Sequence, residues 1–163
     1  MPVICRLIQV LPAAATKLAA DTSQLASTIE AAKIYSDVYR YWHGIDWLLA
    51  AHGHSHTILK AGQAVSQADG PTPASRLLQP AEVARLNDAL KNIEPDALAP
   101  HYDAAALDQA GIYPREWVEW EETFDPLGQV LEHYHFLREF AANRAKAGDG
   151  MLFFFEMKRD GTV

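Results

Sequence analysis

Three histidines at alternate positions, His52, His54 and His56, have the spacing in this chain closest to that of a metal site. Imidazole ligates Zn, Cu and Ni, and alternation along an extended segment puts all three rings on one side. In a continued helix His52 and His56 would instead share a face as an i,i+4 pair, with His54 pointing elsewhere. The chemistry goes no further. No Glu sits in a His-Glu-x-x-His frame as a general base, Gly53 works against helix continuation, and the nearest acid, Asp46, lies six residues upstream. Histidines at a helix end also fit without metal, because the negative end of the helix dipole favours them. No metal or cofactor is expected, with His52, His54 and His56 as the alternative ligand set.

Other chemistry-bearing residues are sparser. His43 follows Trp42 and precedes Asp46, which makes these three the candidates for a pocket or a buried polar contact. His133 and His135 sit mid-helix, about 200° apart, and cannot form one site by themselves. His133 shares a stripe with Phe136 and Phe140, so it reads as packed or interfacial. Cys5 lies in a strand-like run with no catalytic signature beside it, where a buried, inert thiol is the default. Gly-x-Ser-x-Gly, phosphate-loop and dinucleotide fingerprints are missing. The expectation leans away from an enzyme.

Charge is more informative. Between Glu94 and Asp125 stand nine acids and one base, Arg115, in a chain whose net charge is -7. Glu116, Trp117, Glu119, Trp120, Glu121 and Glu122 form the densest part. Carboxylates that steer and aromatics that anchor make a surface for a basic protein partner. The plainer alternative is a solvated acidic face with Trp117 and Trp120 turned inward. The acidic balance argues against nucleic acid and against anionic membranes, both of which need a basic face.

These groups must be positioned by a chain of 163 residues, 49% hydrophobic and 21% charged, which suits one domain spanning 1–163 with its own core. A single cysteine excludes an intrachain disulfide. No run approaches the ~18 apolar residues of a membrane span, and no targeting segment is read at the start, so a cytoplasmic location is expected. Residues 3–10 read as a strand ended by Pro12, which suits the first turn of a helix through Ala20. A polar stretch, Asp21–Ser27, follows. Val38, Tyr41, Trp42, Ile45, Leu48 and Leu49 fall at helical spacing and predict a helix over Asp37–Ala51. Leu59–Leu78 reads as a loop. Pro80 opens the next helix, Asp103 caps a short one ended by Gly111, and Asp125-Pro126 opens a long one running to about Ala147. On that last helix Leu127, Val130, Tyr134, Leu137 and Ala141 form the main stripe, with Phe136 and Phe140 nearly opposite as a possible homodimer surface. Met151–Met157 is a closing strand. The fold expected is α+β, mostly helical, with a small sheet that includes the N- and C-terminal strands.

Three stretches carry a family likeness: Tyr41-Trp-His-Gly-Ile45 with Trp47-Leu-Leu49; Ala74-Ser-Arg-Leu-Leu-Gln-Pro-Ala-Glu-Val83; and His101-Tyr-Asp103 with Ala110-Gly-Ile-Tyr-Pro114. In this order, and with the closing helix and strand, they resemble the YfbM-like family of uncharacterised bacterial proteins, a domain of unknown function, over nearly the whole chain. The resemblance implies a single α+β domain and no established reaction. The His52–His56 cluster lies outside the family pattern, and Asp69-Gly-Pro-Thr-Pro73 replaces a glycine-rich approach to Ala74. The reading that follows is a non-catalytic protein-interaction module, in its most concrete form an immunity protein that neutralises a basic toxin. The alternative is a small-molecule-binding or metal-dependent enzyme using His43 and the His52/His54/His56 cluster.

Overall fold

The computed structural model describes residues 1–54 and 58–159. Its centre is made by the two ends of the chain. Strand β1 (Val3–Val10) lies antiparallel beside β5 (Gly150–Met157), in register from Val3 opposite Met157 to Val10 opposite Gly150. With β2 (Tyr35–Tyr39), β3 (Gln63–Ala64) and β4 (Arg76–Leu78), they form a five-stranded antiparallel sheet in the order β2-β1-β5-β4-β3. Helices cover both faces, which is why β1 and β5 are nearly continuous apolar runs rather than alternating ones.

Side chains in the two central strands alternate between two cores. Val3, Cys5 and Leu7 join Phe153 and Phe155 in the larger core, with Cys5 opposite Phe155 and Leu7 opposite Phe153. Ile8, Val10 and Leu152 point the other way, toward Ala15 and Leu18. Those last two belong to α1 (Pro12–Ala20), which is followed by a 3-10 turn and α2 (Leu25–Ala31). The larger core is closed by α3 (Trp42–Ala51), α4 (Pro80–Leu90), the short helices α5 (Pro95–Leu98), α6 (Ala104–Gln109) and α7 (Trp117–Glu121), and the long α8 (Pro126–Ala147). Full burial of each large side chain stabilises by roughly 1.5–3 kcal/mol.

The caps read from the sequence at Asp103 and Asp125 are in place, whereas α3 starts after Tyr41 with no side-chain cap, Ser36 and Asp37 lying in β2. Asp103 accepts from the Ala106 N–H at 3.1 Å, and Asp125 accepts from the Gly128 N–H at 3.0 Å. Glu82, in the first turn of α4, accepts from the Gln79 N–H at 3.0 Å. Gly148 ends α8 with φ 73°, in the left-handed region that favours glycine. Just beyond it, Asp149 is buried against Arg144 (3.1 Å) and accepts from the Gln9 side chain (2.8 Å), which ties the end of α8 to β1.

Four expectations need correction. Tyr35–Tyr39 is an edge strand and α3 begins only at Trp42, so the helical spacing of Val38 and Tyr41 spans a strand and a turn. The 59–78 segment is not wholly loop, since it supplies β3 and β4. Part of the polar stretch after Asp21 is helical, as the 3-10 turn and the start of α2. Phe140 is buried under the Arg144 guanidinium (5.4 Å), and Phe136 is half-buried beside His133, so this stripe packs within the chain instead of forming an open dimer surface. Among the described residues no helix is long and apolar enough to cross a membrane.

Candidate functional site

At the start of α3 each residue of the Trp42-His43-Gly44-Ile45 segment has a separate task. Trp42 is 2% exposed, its indole N–H donates to the Val3 carbonyl at 3.0 Å, and its ring meets Phe155 edge-on. That fixes the first turn of α3 to the sheet. Gly44 has no Cβ because the Trp117 ring occupies the space: an added Cβ would lie 2.6 Å from Trp117 Cη2. Ile45 is fully buried. His43 alone of the four remains half-open.

The second wall comes from the segment between α6 and α7. Gly111 leaves α6 with φ 72°, and Tyr113-Pro114 is a cis peptide. Tyr113 is held at both ends. Its hydroxyl accepts from the Val3 N–H at 2.7 Å, and its own N–H donates to His43 Nδ1 at 2.9 Å. The rings of His43 and Tyr113 each lie nearly parallel to Trp42, at 5° and 17°, with centroids 5.2 Å from it. Arg115 follows with φ 69°. Among the described residues it and Tyr39 are the non-glycines with positive φ. For side chains of this size such backbone is strained, and strain of this kind gathers at functional sites.

Ala68, Gly70, Pro71, Thr72 and Pro73 form the third wall, on a turn closed by paired backbone hydrogen bonds of 2.9 Å between Asp69 and Thr72. Leu59 completes it. The enclosed cleft measures ≈ 470 Å³ and opens to solvent. A second cavity of ≈ 370 Å³ shares Tyr113 and Pro114 with it and is lined further by Tyr39, Arg40 and Glu116.

Electrostatically the cleft differs from the acidic 94–125 segment that supplies one of its walls. No carboxylate lines it, whereas Arg115 does. Arg115 has no ion pair among the described residues, and its Nε reaches only the Gly111 carbonyl, at 3.4 Å. Burial, and then the Arg115 charge, hold the His43 imidazole below its ordinary pKa. Because Nδ1 accepts from Tyr113, the neutral ring carries its proton on Nε2. That Nε2–H has no protein acceptor among the described residues.

The other expected site residues fall elsewhere. Asp46 is not in the cleft wall. It is buried and accepts from the backbone N–H groups of Ile58 (2.6 Å) and Leu59 (3.1 Å), so it acts by placing Leu59. His52 Nδ1 lies 3.2 Å from His101 Nε2, a pairing across 49 residues that no local spacing signals. His56 lies outside the described residues, and among those described no three His, Cys, Asp or Glu side chains gather as a metal site. His133 packs against Tyr41 at 4.8 Å between ring centroids.

The acidic segment splits into two. Glu94 pairs with Arg138 through two bonds of 2.9 and 2.8 Å, and Asp103 and Asp125 cap helices. Asp108 caps α7 by accepting from the Trp117 and Val118 N–H groups (2.9 and 3.0 Å). By contrast Glu116, Glu119, Glu121 and Glu122 are exposed and make no ion pair among the described residues. Trp117 and Trp120 are not anchors on this face. Trp117 is fully buried with its indole N–H on the Ile112 carbonyl (3.0 Å), and Trp120 lies beneath the Arg40 guanidinium at 4.6 Å. The face is charged, with Val118 as its exposed apolar residue.

The family model of a domain of unknown function, DUF1877, matches residues 1–154. A solved structure, that of YfbM from Escherichia coli, described as a protein of unknown function, is similar in fold. Its TM-score is 0.65 at 15% identity, over 94% of this chain and 99% of that one. No curated protein matches the chain.

Proposed function

The chain belongs to the DUF1877 family, and we propose that this domain works by binding a small ligand in the cleft walled by His43, Tyr113, Arg115 and the 68–73 turn. The observation that carries this reading is the hydrogen bond from the Tyr113 N–H to His43 Nδ1. It joins two walls far apart in sequence and leaves a cleft-lining neutral imidazole with an Nε2–H that has no protein acceptor among the described residues. Pockets of this kind, apolar with a few placed polar groups, are the usual form of a ligand site. The strained backbone at Arg115 points to the same place.

A thermal-shift screen of small aromatic and aliphatic compounds tests it. A ligand that bridges the walls stabilises by about 2.7 kcal/mol at a hundredfold excess over Kd. Hits should raise the melting temperature of the wild-type protein and lose that effect in His43→Leu. A screen in which every hit acts equally on both proteins would count against the cleft.

A second reading rests on the exposed carboxylates of Glu116, Glu119, Glu121 and Glu122, which make no ion pair among the described residues. They favour a docking face for a basic protein, and a basic toxin neutralised by this chain is its most concrete form. With Trp117 and Trp120 buried, the face has little apolar anchorage, so its association should be steered by charge and weakened by salt. Pull-down from the native host at low salt, run beside a Glu119→Lys, Glu121→Lys, Glu122→Lys variant, decides it. A basic protein retained by the wild type and not by the reversed variant supports the face; equal retention removes it.

A further inference from the structure

We infer that the cleft takes a planar aromatic compound bearing an oxyanion, a carboxylate or a phosphate, an inference that rests on reading the cleft as a ligand site. Two lining residues carry spare donors: His43, whose Nε2–H has no protein acceptor among the described residues, and Arg115, whose guanidinium bonds only the Gly111 carbonyl, through Nε. Acceptors that satisfy both must come from the ligand, and a charged acceptor is favoured because Arg115 is permanently cationic. The charge pattern selects the same sign. Nine acids crowd residues 94–125, yet their single base is the residue that lines the cleft. Glu116, its neighbour in sequence, lines the adjoining cavity instead. Asp69 occupies the turn without lining the cleft. An anion is therefore drawn to this opening and repelled by the exposed face of α7.

The walls specify the rest of the ligand. The Tyr113 and His43 rings both lie nearly parallel to Trp42, and Leu59, Pro71 and Pro73 add apolar lining among few polar side chains. A flat ring gains contact on such surfaces without losing hydrogen bonds. The volume, ≈ 470 Å³, accommodates a one- or two-ring acid.

The test titrates the isotope-labelled 163-residue chain with 1-naphthoate, 1-naphthyl phosphate and the neutral 1-naphthamide, following the Trp42 indole, Tyr113 and Gly111 N–H signals by NMR. Both anions, or one of them, should move these signals and bind at least about tenfold more tightly than the amide; the tighter anion identifies the oxyanion. Arg115→Asn, chosen because Asn tolerates positive φ, should weaken the anions by about tenfold or more and leave the amide unchanged. Arg115→Lys should recover part of the loss. Affinity of the wild type for the anions should also fall as salt rises, a readout independent of whether either variant folds. Equal binding of amide and anions in the cleft, or anion affinity indifferent to salt and to Arg115→Asn, would overturn the oxyanion inference while leaving the cleft as a site. Failure of all three probes to move the cleft signals would remove both.

Discussion

The backbone N–H of Tyr113 donates to His43 Nδ1 at 2.9 Å, across 70 residues of sequence. This single bond joins the Trp42-His43-Gly44-Ile45 turn to the Gly111-Ile112-Tyr113-Pro114 turn and sets the tautomer of the imidazole. It also predicts how His43 variants behave. His43→Asn places a carbonyl oxygen near the former Nδ1 and should stay close to wild-type stability. His43→Leu leaves a partly buried amide without its partner and should cost about 1–3 kcal/mol. Urea unfolding of the two variants separates the hydrogen bond from the loss of the ring.

The same geometry fixes a pH dependence. Burial, and then Arg115, lower the His43 pKa in the folded chain below its ordinary 6.5. Below that value the unfolded chain takes up a proton that the folded chain refuses, so the unfolded state binds more protons and stability falls as pH falls. The contribution is complete above the ordinary pKa and is lost from there down to the folded one. Urea midpoints measured between neutral pH and pH about 5 should therefore drop more for the wild type than for His43→Asn. Parallel curves would contradict the assignment.

Gly44 is a close-packing glycine. A methyl group there meets Trp117 Cη2 at 2.6 Å, against a ring that is fully buried. Gly44→Ala should destabilise by about 1–3 kcal/mol through overpacking, and it should disturb the cleft because Trp117 follows the Arg115 turn. Calorimetry, together with tryptophan fluorescence, reads both effects.

Asp46 acts as a structural clamp. Its carboxylate holds the N–H groups of Ile58 and Leu59 beneath the cleft. Asp46→Ala should cost about 2–4 kcal/mol, the scale of losing charge-assisted bonds to buried donors. Asp46→Asn retains one acceptor oxygen and should cost less. Chemical denaturation checks the order.

Elements with local punctuation were legible in the sequence: Pro80 and Pro126 at helix starts, Asp103 and Asp125 as caps, Gly148 as a stop, and the apolar runs of β1 and β5. The edge strand β2 was not, because Val38, Tyr41, Trp42 and Ile45 coincide with a helical period although a turn at Tyr39–Tyr41 interrupts it. Strands β3 and β4 are two and three residues long and take their conformation from pairing with neighbours, so no periodicity could mark them. At the site, Trp42 and His43 were found from their position in a motif, but their partner Tyr113 and the cation Arg115 were not. Contacts across 70 residues have no spacing signature. The one available hint was that both turns belong to stretches that carry the family likeness. Alternation of Trp with Glu in α7 misled in the opposite sense. On a one-turn helix packed against the core, the tryptophans turn inward and leave only the acids outside.

The most direct test of the cleft as the binding site is crystallographic soaking of the full chain with a library of small aromatic and aliphatic fragments. The account predicts that bound fragments gather between His43, Tyr113 and the 68–73 turn, with a polar atom within hydrogen-bond distance of His43 Nε2 or the Arg115 guanidinium. Fragments that gather elsewhere, with the cleft left empty across the library, would contradict it.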